Sequence, residues 1–424
     1  MRRLAAPIFD RDFRASWLAF AVAALPGVAG SAWATLRLAP GLEAVDLVEW
    51  VLLGAILTVL GSLSQLGLKP GYMQEVTDRG AAARHPALRA AALALAGTGA
   101  LAGLIAAAGL ALLAEFGLWR NVEVLWWLPL GSLLGNLAMI FHTDLRILGQ
   151  PRLIATLSII GLPALILTLE AALRVGLSPL AALWAATCLV NLIFVATLAY
   201  RSGVFTHRGI DRKFLTHAVT MGVPVMGGLL AKYVADLAIA ATFRWWADAE
   251  VAKLYGLAMR AIEPFFALVI GAFQMAWGAH VYSWLREAGD GSMAAARARE
   301  AMKLGVWGLP LGLATGLAML LLAGEGGEVG HALPFLMMAL SRALAFGMAS
   351  PMGFGQTMRR DYRQGMRITV LEMLLTLSAL PLCAAALGSF AALASAALLP
   401  WISVALLHRY SRSVLNATGA PLRV

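Results

Sequence analysis

Charged side chains within long apolar runs are the residues of this chain that could do chemistry. Lys232 and Asp236 are four residues apart, and Arg260 and Glu263 are three apart, so each pair shares one face of a helix. Arg342 stands near the middle of another apolar run, with no carboxylate within one turn. A guanidinium at membrane depth needs a partner, and it suits phosphate through bidentate hydrogen bonds. The cations therefore predict a cavity that accepts an anion.

A structural role competes with binding at each of these positions. In that alternative, Lys232 and Asp236 neutralise each other within one helix, as do Arg260 and Glu263 in the next. Arg342 would then form a salt bridge to Asp236 or Glu263 across helices. The two carboxylates are thus candidates either for binding a coupling ion or for ion pairing.

Other polar residues in the apolar runs have simpler explanations. Gln274 is a further candidate for the substrate-binding cavity, although an amide at membrane depth also bonds neighbouring helices. Asp144 and Arg146 are predicted to form an ordinary pair at the membrane interface. No catalytic residue, metal site or cofactor is predicted, because the sequence holds no phosphate-binding loop, no zinc-binding histidine pair and no serine-nucleophile motif.

The composition identifies the elements that position these residues. Of the 424 residues, 60% are hydrophobic and only 13% are charged, whereas an ordinary soluble domain has about 25% charged residues. Soluble enzymes, disordered chains and disulfide scaffolds are excluded. The net charge of +10 follows from basic residues placed between apolar runs, which indicates membrane topology rather than nucleic-acid binding.

Twelve apolar segments are long enough to cross a membrane as helices, which takes about 20 residues each. They are 16–36, 46–68, 87–114, 122–145, 153–174, 178–200, 215–243, 252–280, 303–323, 332–355, 367–387 and 389–408. Most of the 33 Lys and Arg residues fall in alternate links if the N-terminus lies inside. The predicted fold is an all-α polytopic membrane protein with both termini in the cytoplasm.

The longest inner loop divides the chain into two halves of six helices. The predicted domains are an N-terminal lobe over 1–200, a cytoplasmic linker over 201–213 and a C-terminal lobe over 214–424, around a central cavity. Each half opens with a proline-bearing helix, which carries Pro26 in the first half and Pro224 in the second. Proline removes a backbone donor and clashes with the preceding turn, so both helices are predicted to be bent or broken there. Paired breaks favour a repeat around a transporter cavity, with chance coincidence as the alternative.

The stretch 222–287 carries several motifs. They read Gly222-Val-Pro224, Lys232-Tyr-Val-Ala-Asp236, Ala252-Lys-Leu-Tyr255-Gly-Leu-Ala-Met-Arg260 and Ala272-Phe-Gln274-Met-Ala-Trp277-Gly278. This stretch resembles the start of the second half of polysaccharide flippases in the multidrug/oligosaccharidyl-lipid/polysaccharide exporter superfamily. Two residues depart from the family pattern, namely Leu254, where glycine is usual, and Ala279, where proline is common.

The resemblance implies two six-helix lobes that alternate between inner and outer openings in the inner (plasma) membrane. The implied function is to flip an undecaprenyl-pyrophosphate-linked oligosaccharide across that membrane for cell-surface polysaccharide biosynthesis. The implied partners are this lipid-linked glycan, membrane lipids and polysaccharide polymerase or export proteins, without nucleic acid. By matched position, Lys232, Asp236 and Arg260 fall in the cavity-lining helices 7 and 8, whereas Arg342 is placed by depth alone.

Three other functions are weighed against a flippase. A multidrug exporter of the same superfamily would carry organic cations, for which a positively charged cavity has the wrong sign. A membrane-embedded glycan polymerase needs a long polar outer loop, and the outer links are short. A non-catalytic scaffold of an envelope assembly complex requires only that the deep charges are paired.

Overall fold

A computed structural model describes residues 11–417, apart from residues 66, 80, 149, 205–210, 289–291, 324–326, 328 and 360. The described residues are almost entirely helical and contain no strand. The helices are α1 (Arg11–Leu38), α2 (Ala44–Gln65), α3 (Leu68–Arg79), α4 (Ala81–Glu115), α5 (Leu128–Ile147), α6 (Pro151–Arg174), α7 (Pro179–Ser202), α8 (Arg212–Trp245), α9 (Ala249–Phe265), α10 (Ala272–Ala288), α11 (Ser292–Leu322), α12 (Val329–Met352), α13 (Phe354–Arg359), α14 (Tyr362–Leu387) and α15 (Ser389–Ala417).

Within the described residues, twelve helical stretches are long and apolar enough to cross a membrane, which confirms the predicted fold class. Helices satisfy their own backbone hydrogen bonds, and this is why apolar runs in lipid adopt them. One span consists of α9, a π-helical segment at Phe266–Gly271 and α10. The short helix α3 is not part of a candidate span, whereas α13 continues the span that begins with α12.

The chain forms two compact units, each with six of the spans. Unit 1 contains α1 and α9–α15, and unit 2 contains α2–α8. This grouping differs from the predicted lobes, 1–200 and 214–424, in two helices. The first helix packs with the second half of the chain, and α8, the first helix of the second half, packs with the first half. Part of the predicted linker 201–213 lies outside the described residues.

Aromatic packing explains the place of α1 in unit 1. Phe13 is fully buried, and its ring centroid lies 5.8 Å from that of Phe273 in α10. The Trp17 ring lies 5.5 Å from the same phenylalanine, and its Nε1 donates a 3.2 Å hydrogen bond to the carbonyl of Val269. Val269 lies within the π-helical segment, so α1 supplies a donor where the regular helix is interrupted.

Glycines set the spacing of α11 and α12 in unit 1. Gly308, Gly312 and Gly316 are four residues apart, so they form one stripe on α11. A Cβ atom added to each would meet a leucine of α12, respectively Leu344, Leu340 and Leu336. The two helices therefore pack with leucine side chains against glycine backbone, the close approach that small residues allow in membranes.

Backbone-to-backbone contact explains the place of α8 in unit 2. Gly67 lies between α2 and α3 with φ +74°, and a Cβ added there would collide with the backbone of Gly222 in α8. One turn further, Gly71 of α3 meets Ala218 of α8 in the same way. Only glycine at position 67 combines the left-handed backbone with this close approach.

Neither of the two proline-bearing helices is broken at its proline. Pro26 lies inside α1, and Pro224 lies inside α8, and both helices are continuous across them. The described interruption of a span occurs instead at Phe266–Gly271, two residues after Pro264. Pro264 is thus the proline next to which the helical hydrogen-bond pattern changes.

Candidate functional site

The charged residues singled out from the sequence are distributed over both units. Lys232 and Asp236 are half-buried side chains of α8 in unit 2, one turn apart. Arg260 and Glu263 belong to α9, and Arg342 belongs to α12, all in unit 1. Each unit therefore carries its own set of deep charges.

Arg260 and Glu263 form the ion pair that the structural alternative anticipated. Nη1 of Arg260 lies 2.8 Å from Oε2 of Glu263, and the two side chains are 14% and 39% exposed. The pair stands just before Pro264 and the π-helical segment. Because Glu263 already neutralises this guanidinium, an anion would have to compete with it.

Gln274 cross-links two helices of unit 1. Its Nε2 donates a 2.7 Å hydrogen bond to the carbonyl of Phe346 in α12. The rings of Phe346 and Phe266 also pack with centroids 5.4 Å apart. The amide thus ties α10 to α12 next to the π-helical segment, which is the bridging role open to a polar residue in the membrane.

Arg342 contacts the backbone of α15. Its Nη1 donates a 3.0 Å hydrogen bond to the carbonyl of Ala396, which lies four residues before Pro400. In a regular helix this carbonyl accepts the N–H of residue 400, which proline lacks. The preceding residue, Ser341, donates at 2.8 Å to the carbonyl of Ala397. Two adjacent side chains of α12 therefore cover the carbonyls next to the proline.

Two buried carboxylates, Glu49 and Asp144, each join helices at one end of unit 2. The sequence alone did not indicate this role. At one end, fully buried Glu49 of α2 accepts a 2.8 Å hydrogen bond from Nη2 of Arg244 in α8 and another from Nδ2 of Asn121. At the other end, Asp144 of α5 accepts from Tyr72 of α3 at 2.5 Å and from both Nε and Nη2 of Arg84.

The buried partners of Asp144 come from other helices, and the side chain of Arg146, its predicted partner, lies outside the described part of the chain. Tyr72 is fully buried and Asp144 is 2% exposed. Burial and the nearby carboxylate raise the pKa of Tyr72 well above its ordinary value, so the phenol keeps its proton and donates to Asp144. No pattern in the sequence indicates this contact, because Tyr72 and Arg84 lie on other helices.

Comparisons with known proteins bear on the fold. No family model matches the chain, and no curated protein matches it. Among solved structures, an outward-facing multidrug resistance MATE family transporter of the MOP superfamily is 15% identical, with a TM-score of 0.68 over 96% of this chain and 94% of that one. An inward-facing transporter of the same description has 14% identity and a TM-score of 0.55, over 94% and 95%. A point mutant of the Vibrio cholerae MATE transporter VcmN has 14% identity and a TM-score of 0.66, over 96% and 99%.

This chain has the MATE fold. At these identities the likeness establishes architecture alone, since most side chains differ. Motif residues from the sequence also serve the architecture. Tyr255 and Trp277 are buried, at 2% and 3% exposure, and Gly222 makes a backbone contact within unit 2. These residues are packing positions in this chain and do not identify the substrate.

One buried acidic residue of unit 1 was overlooked in the sequence. Glu372 lies in the membrane-spanning helix α14 and is 2% exposed. Sequence reasoning singled out the deep cations and their neighbours, and the turn that follows Glu372 contains no charged residue. Among the described residues, no group of three or more His, Cys, Asp or Glu side chains is arranged to hold a metal ion.

Proposed function

We propose that the protein is a secondary transporter of the MATE fold that moves amphiphilic molecules from the inner to the outer side of the membrane. The observation that carries the proposal is the match to MATE transporters along nearly the whole length of this chain, as in the outward-facing transporter with 96% coverage. Transporters of this fold are known in both outward-facing and inward-facing conformations. Alternating access is therefore the mechanism proposed here.

Multidrug export is the first substrate assignment. It is supported by the MATE neighbours, which include multidrug resistance transporters. The ion pair between Arg260 and Glu263 weakens the charge argument against it, because Glu263 neutralises one of the deep cations. Arg342 is held by a backbone carbonyl, which gives its guanidinium a partner other than an anionic substrate.

Flipping of an undecaprenyl-pyrophosphate-linked oligosaccharide is the second candidate. It is favoured by the motifs of 222–287, which resemble those of polysaccharide flippases. In this case the partners are the lipid-linked glycan and the proteins that polymerise or export it. For both candidates we propose a plasma-membrane location with cytoplasmic termini, which the alternating Lys and Arg distribution supports.

One reconstitution separates these substrates. Proteoliposomes are loaded with an ion gradient, and uptake of a fluorescent organic cation is compared with the flipping of a fluorescent polyprenyl-pyrophosphate oligosaccharide, read by a membrane-impermeant quencher. Protein-free liposomes are the control. Gradient-dependent cation uptake supports multidrug export, and protein-dependent flipping of the labelled lipid supports the second candidate. If neither probe moves in vesicles whose protein is folded, the scaffold alternative gains support.

A further inference from the structure

The exposed side chains of α14 form a stripe whose chemistry changes along the helix. Arg363 and Arg367 begin this stripe, and both are exposed. Three leucines continue it with 44%, 54% and 41% exposure, namely Leu371, Leu374 and Leu377. Successive members are three or four residues apart, so they share one face of the helix. The buried residues of α14 lie on the opposite face, and one surface therefore passes from two guanidinium groups to apolar side chains.

Helix α15 repeats this arrangement in the opposite chain direction. Leu398 and Ile402 are 66% and 39% exposed, and Ala405 is exposed one turn further on. The exposed arginines Arg409 and Arg412 follow. The spacing is again three or four residues, which places these side chains on one face. Each helix of the hairpin thus has an exposed apolar stripe that ends in a pair of arginines away from Gly388.

The two arginine pairs lie at the same depth. Gly388 joins α14 to α15, and Arg367 and Arg409 are each about 21 residues from it, so they are level in an antiparallel hairpin. At a rise of about 1.5 Å per residue, they lie about 32 Å from the hinge, and the hydrocarbon layer is about 30 Å thick. With Gly388 at one membrane surface, both arginines reach the other surface, where phospholipid phosphates lie.

Side-chain hydrogen bonds hold the backbone that carries these arginines. The Asp361 carboxylate accepts from the backbone N–H of Gln364 at 3.3 Å, which caps α14, and from the Tyr410 hydroxyl of α15 at 3.0 Å. The Ser411 hydroxyl of α15 accepts from the N–H of Gly355 in α13 at 3.0 Å. The ends of α13, α14 and α15 are therefore tied together, and both arginine pairs stand on a common support.

Positive charge at this end of the hairpin has little internal compensation. Residues 354–424 contain seven arginines, no lysine and only two acidic residues, Asp361 and Glu372. Asp361 is engaged by Gln364 and Tyr410, and Glu372 belongs to the buried face of α14. Within the described part of the chain, no ion pair involves the arginines of the two stripes. Their charge is thus available to an anion from outside the protein.

The ligand that fits both parts of each stripe has a phosphate and an acyl chain. Guanidinium groups bind phosphate through paired hydrogen bonds, and clusters of basic residues beside membrane-spanning helices bind anionic lipid headgroups. A water-soluble anion matches the arginines alone. An anionic phospholipid matches the arginines with its headgroup and the leucines with its acyl chains.

We propose that the hairpin of α14 and α15 has a binding surface for anionic phospholipids. The lipid phosphate contacts Arg363 and Arg367 on α14, or Arg409 and Arg412 on α15, and the acyl chains lie along the apolar stripe of the same helix. Because α14 packs chiefly against α15, a lipid bound here supports α14 on the side that has no protein neighbour among the described helices. This inference does not depend on the proposed transport function.

Native mass spectrometry of the purified full chain tests the proposal. Delipidated protein in detergent is titrated with phosphatidylglycerol or with phosphatidylcholine of the same acyl chains. We expect the wild type to prefer phosphatidylglycerol by about tenfold or more, since several basic residues act on one headgroup. The double substitution Arg367→Gln and Arg409→Gln should remove most of this preference.

Two further double variants separate the site from net charge. Arg201→Gln with Arg212→Gln removes two exposed arginines from the ends of α7 and α8 in unit 2, and should leave the preference unchanged. Arg367→Lys with Arg409→Lys keeps the charge without the bidentate hydrogen bonds, so its preference should lie between those of the wild type and the glutamine variant. Thermal unfolding verifies that each variant is folded.

Photocrosslinking locates the lipid in the wild type without any substitution. Phosphatidylglycerol with a diazirine in the middle of one acyl chain is bound and irradiated, and the adducts are mapped by peptide mass spectrometry. Adducts should fall within residues 371–377 and 398–405. If the glutamine variant does not fold, these adducts decide.

Three results would overturn the proposal. They are a wild type without preference for phosphatidylglycerol, an equal loss of preference in the unit 2 variant and the hairpin variant, and adducts confined to other segments. Lipid binding at the hairpin without transport of any probe retains this surface and removes the proposed function.

Discussion

The Nη1 atom of Arg342 donates to the carbonyl oxygen of Ala396, the acceptor that Pro400 leaves without its helical donor. The guanidinium thus has a defined structural task between α12 and α15. A deep arginine in a transporter is usually assigned to the substrate. Here its hydrogen bond offsets the defect created by a proline on another helix.

The energetic coupling between Arg342 and Pro400 is testable in a double-mutant cycle. Arg342→Met retains most of the apolar stem but removes the donors, and should lower the free energy of unfolding by about 1–3 kcal/mol, because the Ala396 carbonyl loses its donor. In the Pro400→Ala background the helix supplies its own N–H, so the same substitution should cost much less. Thermal and denaturant unfolding in detergent measure both values. Equal costs in the two backgrounds, with reduced substrate binding, would instead place Arg342 at the substrate.

The buried Glu49–Arg244 ion pair should stabilise unit 2 strongly. Glu49 is fully buried, and Glu49→Gln leaves Arg244 with a neutral partner. We expect this substitution to lower the free energy of unfolding by about 3 kcal/mol. Glu43→Gln is the matched control, because Glu43 is 74% exposed in its pair with Arg120 and should change the unfolding midpoint little. Similar midpoints for the two variants would contradict a stabilising role for Glu49.

Two glycines of α11 should respond to alanine with opposite signs. A Cβ at Gly312 meets Leu340 and Phe265, so Gly312→Ala should destabilise the protein by about 1–3 kcal/mol through overpacking. Gly305 has no atom within 4 Å of an added Cβ, so Gly305→Ala should stabilise by up to about 1 kcal/mol through helix propensity. The unfolding midpoints of the two variants should therefore move in opposite directions. Movement in the same direction would show that the glycine-to-leucine packing is not maintained.

The hydrogen bond from Tyr72 to Asp144 predicts a pH dependence. The pKa of Tyr72 is raised, first by burial and then by Asp144. Its contribution to stability is therefore complete below the ordinary tyrosine pKa of about 10 and is lost as the pH rises towards the raised value. Tyr72→Phe should cost about 2 kcal/mol near neutral pH. The difference in midpoint between wild type and variant should be constant from about pH 7 to 9 and shrink above about pH 10. A difference that persists undiminished at higher pH would contradict the raised pKa.

The fold could be predicted because the membrane imposes it locally. Apolar length and the spacing of Lys and Arg are properties of consecutive residues, and the twelve predicted segments correspond to the twelve candidate spans. The exchange of α1 and α8 between units could not be predicted in this way. It depends on contacts such as Trp17 with Val269 and Gly67 with Gly222, which join residues far apart in the sequence.

The candidate site was predicted less well, for a related reason. The pair Arg260–Glu263 was anticipated, since its members are three residues apart on one helix. The partner of Arg342 was not, because backbone carbonyls are present at every residue and only Pro400 makes this one available. The partners Tyr72 and Arg84 of Asp144 were not predicted either, because they come from α3 and α4.

The positions of α1 in unit 1 and α8 in unit 2 determine where the chain can be divided. A fragment that ends near residue 204 would contain α1 without α10, against which Phe13 and Trp17 pack, and would lack α8, whose Arg244 reaches Glu49. The complementary fragment would carry α8 away from its neighbours. The two halves of the sequence are thus not autonomous folding modules, and a gene split or circular permutation has to cut at the crossings near residues 40 and 245 to release intact units.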